Sequence, residues 1–220
     1  VYQTIERPLI SVILEMERNG VKVDTIALKN LSKDFSKRTA DLEKLAHSQA
    51  GETFNIGSPK QLGDILFKKL GIEGGKKGKT GAFSTGATVL EELSAQGHDL
   101  ATTGLDGRQL AKLKSTYTDA LINQVSPTSG RIHTSYGMAI AQTGRLSSNE
   151  PNLQNIPIRT EEGRKIRETF IAEKGHKLLS LDYSQIELRL LAHIGKVEDL
   201  KKALEPVSYT HLRAHETRED

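Results

Sequence analysis

The 220 residues include no cysteine. That excludes a disulfide framework and a thiolate-bound metal, and is compatible with a reducing cytoplasm. Long apolar runs are also missing. The longest near the start, residues 9–14, is broken by Ser11 and followed by charges. It is too short to cross a bilayer, and no basic segment or cleavage signal precedes it, so no membrane partner is expected. A large excess of either charge is absent too, the formal balance being +3, and no internal repeat emerges. What remains, 36% hydrophobic and 27% charged residues, suits a globular chain of one or two domains.

The charge is unevenly distributed. Nine basic residues stand against four acidic ones between Arg108 and Arg167, leaving the remainder slightly acidic. A basic middle suits a polyanion, whereas an ordinary solvated surface is the plain alternative.

The first half has helical periodicity. Residues 5–18 carry Pro8 in a first turn and Leu9, Val12, Ile13 and Met16 on one face, with Asn19-Gly20 as the stop. A brief strand or turn over 21–24 precedes a helix predicted over 25–50, with Leu28, Leu31, Phe35, Leu42 and Leu45 inward and Gly51 ending it. Ser58 and Pro59 open a helix over 60–70; its N–H groups beside Lys60 could hold a phosphate or simply be capped. The basic loop 74–81 lacks the spacing G-x-x-x-x-G-K-[ST] and a preceding strand, so it is no nucleotide loop, although its lysines could touch a polyanion backbone. A shorter helix over 86–96 puts Val89, Leu90 and Leu93 inward.

A basic helix is predicted over 108–117 and an alternating strand over 130–136. Residues 142–157 then have no period. They are rich in amides and hydroxyls and punctuated by Gly144, Pro151 and Pro157. Loops of this length inside a domain commonly bind something. Amides and an arginine suit phosphates and minor-groove acceptors, and they equally suit a turn whose amides satisfy the backbone.

Near the end, the apolar run 178–181 has the length of a buried strand, and Asp182 stands where it should finish. Ser184 and Glu187 have capping-box spacing for a following helix, and Ile186, Leu190 and Ile194 give it a buried stripe. A carboxylate at a sheet edge beside a helix start can hold Mg²⁺, or can simply close a turn.

The string Asp182-Tyr-Ser-Gln-Ile-Glu-Leu-Arg189 resembles the first catalytic motif of the family-A DNA polymerases, the bacterial DNA polymerase I type. Arg18-Asn-Gly-Val-Lys-Val-Asp24, Lys112-Leu-Lys-Ser-Thr-Tyr117, Arg131-Ile-His-Thr-Ser-Tyr136, Thr143-Gly-Arg-Leu-Ser-Ser148 and Asn152-Leu-Gln-Asn-Ile-Pro157 resemble further landmarks in the expected order.

The resemblance implies an α+β, right-hand polymerase architecture. Residues 1–23 would lead into the polymerase domain, 24–128 would be a helical thumb, and 129–205 a partial palm with an incomplete antiparallel sheet. It further implies a template-directed polymerase of replication and repair, cytoplasmic and nucleoid-associated in a bacterium and acting as a monomer. Its partners would be primer–template DNA and deoxynucleoside triphosphates, with two-metal Mg²⁺ chemistry.

Carried over residue by residue, Asp182 and the Tyr183 carbonyl match metal ligands. Glu187 matches the residue that crowds the ribose 2′ position, and Arg159 a basic residue near the triphosphate. Arg145, Asn152, Gln154 and Asn155 match positions along the primer–template. Lys112, Lys114, Ser115 and Thr116 match positions on the DNA backbone, to which Ser58 and Lys60 are added as phosphate contacts.

Departures follow too. The family places its second metal carboxylate and its fingers helix after residue 205, and an exonuclease-like domain before Val1. The chain is therefore expected to be a fragment, inactive alone and a weak binder of primed duplex. Gly104 and Gly107 stand where the family has larger residues and are expected to loosen packing. Residues 206–220 resemble a translated adaptor rather than the family and are expected to be a disordered tail, although His211 and His215 have metal-clamp spacing. Two rivals remain: a noncatalytic DNA-binding module, and a metal nuclease that would need carboxylates the chain does not show.

Overall fold

Asp24 and Gly51 delimit the helix on which most of the chain is built. The Asp24 carboxylate accepts from the N–H groups of Ile26 and Ala27, each at 2.9 Å, satisfying two of the orphan donors that open any helix. Gly51 closes it in the left-handed region at φ 68°, which a residue with a Cβ adopts poorly. The helix, α2 (Thr25–Ala50), has the predicted span. Its inward face differs at one place. Leu28 and Phe35 are buried with Leu31 and Leu42 beside them, but Leu45 is 48% exposed while Ala46 and Ala50 are buried. At 3.6 residues per turn the stripe through Phe35 and Leu42 continues to position 46, not 45.

The computed structural model describes residues 1–78 and 81–204. The expected tail with His211 and His215, and part of the 74–81 loop, lie outside them. The chain divides into two compact units, Val1–Ile171 and Ala172–Asp220.

In the first unit, α1 (Arg7–Asn19) precedes β1 (Val21–Lys22) and α2. Next come α3 (Pro59–Asp64), continued by a π-helical turn Ile65–Lys69, then α4 (Ala87–Ala95) and α5 (Asp99–Leu113). A second π-helical turn, Lys114–Asp119, joins α5 to α6 (Ala120–Gln124). The unit closes with β2 (Arg131–Ile132), β3 (Ser135–Gly137), β4 (Ser147–Asn149) and α7 (Glu161–Glu168). β1 pairs antiparallel with β2, Val21 facing Ile132, and β3 with β4, Tyr136 facing Ser148. The fold is α+β, helix-rich with small antiparallel sheets. The strand predicted over 130–136 is two strands, because its first part pairs with β1 and its second part with β4, in separate sheets. Of the expected α1 face, only Ile13 is buried.

Two cores run under these elements, and α2 and α5 contribute to both. One gathers Ala46, Ala50, Leu62, Leu66, Leu90, Leu93 and Leu100. The other gathers Leu28, Phe35, Leu110, Leu113, Leu121, Ile132 and Ile166. Helix α5 begins nine residues before the predicted start because Gly104 and Gly107 lie inside it, buried. A Cβ at Gly104 would lie 3.0 Å from Leu62 Cδ2, and one at Gly107 3.2 Å from Ile56 Cδ1. Gly104 therefore tightens the approach to α3, and Gly107 the approach to Ile56, rather than loosening the packing.

Helix α7 is tied to α2 by Arg38 Nη2 and Glu162 Oε1, 2.6 Å apart. The Arg38 hydrogen bond holds the Glu162 carboxyl below the usual carboxylate range. A depressed folded-state pKa means that this stability is present above the unfolded value and is lost as pH falls through the folded one. The pair is only partly covered, so its contribution is about 1 kcal/mol or less. Glu162→Gln is expected to lower stability by that amount in urea melts at pH 7 and to lose the deficit below about pH 4. A deficit independent of pH would contradict this.

In the second unit, residues 178–181 are not a strand. Leu178, Leu179 and Leu181 are exposed, and among the described residues no strand pairs with them. A strand exists only where a ladder satisfies its N–H and C=O groups, so an apolar run without one stays irregular. Helix α8 (Ile186–Ile194) starts with Gln185 as its N-cap, in the left-handed region at φ 51° and without a side-chain cap bond. The expected Ser184–Glu187 box does not cap it; the Ser184 carbonyl accepts from Arg189 Nε at 2.8 Å instead. Ile186, Leu190 and Ile194 are exposed, and only Ala192 of α8 is buried. Burial needs a layer facing the stripe, and periodicity alone does not provide one. A further helix, α9 (Glu198–Leu204), follows.

Candidate functional site

Two buried hydroxyls organise the stretch without a period. Thr134 Oγ1 and Ser148 Oγ are 2.7 Å apart. Thr134 Oγ1 also lies 3.0 Å from the Asn149 carbonyl and 2.8 Å from that of Pro151. Ser148 Oγ accepts from Leu153 N at 3.1 Å and is 3.2 Å from the Pro151 carbonyl. Each hydroxyl carries one proton, so the two share the donation to these carbonyls. Because a buried carbonyl without a donor is costly, this pair fixes the path of residues 149–153 from beneath. Thr134→Val is expected to destabilise the chain by about 1–3 kcal/mol. Faster amide exchange over 147–157 should accompany the loss; wild-type stability and exchange would contradict the hub.

The amides above this hub have divided roles. Gln154 Oε1 accepts from Ser148 N at 3.2 Å, and its Nε2 donates to the Leu146 carbonyl at 3.1 Å. Both of its ends satisfy the backbone. Asn152 Oδ1 accepts from Gln154 N and Asn155 N at 2.9 and 3.2 Å, an Asx turn, while its Nδ2 has no hydrogen-bond partner among the described residues. Asn155 is exposed, with its carbonyl accepting from the Tyr117 hydroxyl. The turn-forming reading of this loop thus holds for Gln154 and for the Asn152 side-chain oxygen.

Arg145 and Arg159 are exposed on either side of these amides in sequence. Arg159 immediately precedes Thr160, whose Oγ1 accepts from Gly163 N at 3.1 Å and caps α7. Gly163 packs against Pro157 so closely that a Cβ would lie 2.6 Å from its carbonyl oxygen. The start of α7 thereby sets the backbone from Pro157 to Arg159. Sequence reading missed this helix, although Thr160, the acidic first turn Glu161-Glu162 and the basic last turn are ordinary start and stop signals.

Tyr117 joins a second set to this body. It follows Lys112, Ser115 and Thr116, all exposed, and its hydroxyl reaches Asn155 across 38 residues of sequence. Lys114 differs from its neighbours. Its Nζ lies 2.5 Å from Asp119 Oδ2, and Asp119 Oδ1 accepts from Ser32 Oγ at 2.5 Å. The hydrogen bond from Lys114, then that from Ser32, holds the Asp119 carboxyl below its usual range. Neither Tyr117 nor Asp119 was singled out by spacing.

Ser58 and Lys60 belong to the layer over the other core. Ser58 Oγ caps α3 by accepting from Gln61 N at 3.4 Å, and Lys60 is exposed. Arg108 braces this region, with Nε 3.2 Å from the Ile56 carbonyl and Nη1 2.6 Å from that of Thr85.

Asp182, Tyr183 and Glu187 lie in the second unit, and all three are exposed. The predicted site residues thus divide between two units. Among the described residues no three His, Asp or Glu side chains are grouped to hold a metal ion. Nor, among them, is any helix long and apolar enough to cross a membrane.

The sequence profile of DNA polymerase family A matches residues 25–214. DNA polymerase I of Rhizobium leguminosarum is 58% identical over 205 residues, 93% of this chain and 20% of the relative. DNA polymerase I of Pseudomonas aeruginosa is 52% identical over 199 residues, 90% of this chain and 22% of the relative. The chain therefore spans about a fifth of the length of these curated relatives. Among solved structures, the POL domain of Pol1 from M. smegmatis, in complex with DNA primer-template and dNTP, superposes with a TM-score of 0.82 at 42% identity. The match covers 94% of this chain and 36% of that one.

Proposed function

The chain belongs to DNA polymerase family A, and from that premise we propose that it is the DNA-gripping and first-carboxylate portion of a template-directed DNA polymerase. The parent enzyme joins deoxynucleotides to a primer 3′-hydroxyl in replication and repair. Residues 24–128 act as its thumb and residues from 129 onward as the first part of its palm. The observation that carries the proposal is the Tyr117–Asn155 hydrogen bond. It unites a basic segment and an amide loop on one body, with exposed Lys112, Arg145, Asn155 and Arg159 as polyanion contacts. The M. smegmatis relative's complex with primer-template and dNTP supports those partners.

In this reading Lys112, Ser115 and Thr116 hold backbone phosphates, as do Ser58 and Lys60 farther along the thumb. Arg145, Asn155 and the Asn152 amide nitrogen donate to minor-groove acceptors, which every base pair offers, so grip is independent of sequence while template pairing selects the base. Gln154 acts indirectly by holding Ser148 and Leu146 in place. Arg159 steadies the triphosphate, and Glu187 crowds the 2′ position of the incoming sugar. The Asp182 carboxylate and the Tyr183 carbonyl are the donors for Mg²⁺. Their hard oxygen chemistry fits an ion that takes one or two carboxylates together with substrate phosphates and water. When bound, the metal supplies acidification of the primer hydroxyl and charge neutralisation at the phosphates.

Fluorescence anisotropy with a labelled primed duplex tests the grip. The affinity of the 220-residue chain should fall with KCl, and Lys112→Ala should lower the slope of log K against log salt by about 0.9, one phosphate contact. Salt-independent binding, or none, would remove the proposal's basis.

A further inference from the structure

We propose that Asp119 is a positioning residue that withholds Lys114 from the DNA backbone, so that Lys112 alone serves as the phosphate-binding lysine of this segment. The inference rests on the DNA-gripping reading above and divides two lysines that sequence alone treats alike. Their surroundings differ. Lys112 is exposed and, among the described residues, has no carboxylate partner. Lys114 is 27% exposed along its side chain, with its ammonium 2.5 Å from Asp119 Oδ2.

The backbone explains the pairing. Residues five apart do not face each other on an α-helix. The chain from Lys114 to Asp119 is instead a π-helical turn, whose wider i→i+5 geometry brings those two side chains together. The turn is locked in place: the buried Thr118 hydroxyl donates to the Lys114 carbonyl at 3.1 Å. Asp119 is anchored separately, since its Oδ1 takes the hydroxyl of Ser32 on α2 at 2.5 Å. A carboxylate held from two sides cannot follow the lysine outward. A phosphate reaching Lys114 would have to displace Asp119 and would then face a bare negative charge. The pair is electrically neutral as it stands, so it releases no counterion when DNA binds.

The test is the salt dependence of primed-duplex binding by the 220-residue chain and its variants, with melting curves to verify folding. Lys112→Ala should lower the slope by about 0.9, whereas Lys114→Ala should leave it within about 0.3 of wild type. Asp119→Asn should raise the slope by about 0.9 and tighten binding roughly threefold at 200 mM KCl, as one added contact does. The double variant Lys114→Ala/Asp119→Asn should return to the wild-type slope. A Lys114→Ala slope reduced as far as that of Lys112→Ala, or an Asp119→Asn slope that does not rise, overturns the inference. Should Asp119→Asn fail to fold, Lys114→Gln against Lys112→Gln decides it by the same criterion. Failure of the wild-type chain to bind DNA overturns the gripping reading together with this inference, whereas loss of slope in Lys114→Ala overturns the inference alone.

Discussion

Asp182→Ala should reduce primer extension more than about a hundredfold, beyond the effect of losing even an indirect partner of a metal ligand, while the Kd for primed duplex changes less than about threefold. The suitable background is a chimera in which residues 1–204 replace the matching segment of the Rhizobium leguminosarum relative, 58% identical over 205 residues. The separation follows from where the charge stands. Asp182 is exposed and, among the described residues, has no side-chain hydrogen bond or ion pair to release, so removing it should leave the fold intact, and a carboxylate repels DNA rather than attracting it. Its loss can be felt only in chemistry that needs a hard anionic ligand. A noncatalytic DNA-binding module makes the opposite forecast, with turnover indifferent to Asp182. Equal losses of affinity and extension would point to a structural role.

Gly163→Ala is the second large effect, and here two terms compete. Alanine is favoured over glycine inside a helix by about 1 kcal/mol. Against that, the added Cβ would lie 2.6 Å from the Pro157 carbonyl oxygen and 2.7 Å from Pro157 Cβ. The first atom is backbone and cannot rotate away. Overpacking of this kind costs about 1–3 kcal/mol, so the clash should win. Because the displaced atoms lead directly into Arg159, affinity for primed duplex should weaken along with stability. Chemical denaturation and anisotropy on one preparation check both. A variant as stable as wild type, with unchanged affinity, would show that α7 does not set this segment.

What was legible in the sequence was local. Asp24 and Gly51 announce α2 because caps act within one turn, and 142–157 stands out because it lacks any period. The motif around Asp182 was legible as a string, and the family match bears out the resemblance. Partners distant in sequence were not legible. Thr134 meets Ser148 across 14 residues and Ser32 meets Asp119 across 87, and no periodicity encodes either pair. The strand expected over 178–181 failed for the related reason that a ladder is a property of two segments, not one. Gly104 and Gly107 misled in a third way. Standing where larger residues were expected, they suggest loose packing, yet each is the small residue that lets α5 lie close against Leu62 or Ile56.

The central claim is that the loop held by Thr134 and Ser148 meets the primer terminus. A primed duplex carrying a photoreactive base at the primer 3′ end, irradiated with the 220-residue chain and mapped by mass spectrometry, tests it most directly. The account predicts crosslinks within residues 145–159. Crosslinks confined to α4, or to the solvent face of α2, would contradict it.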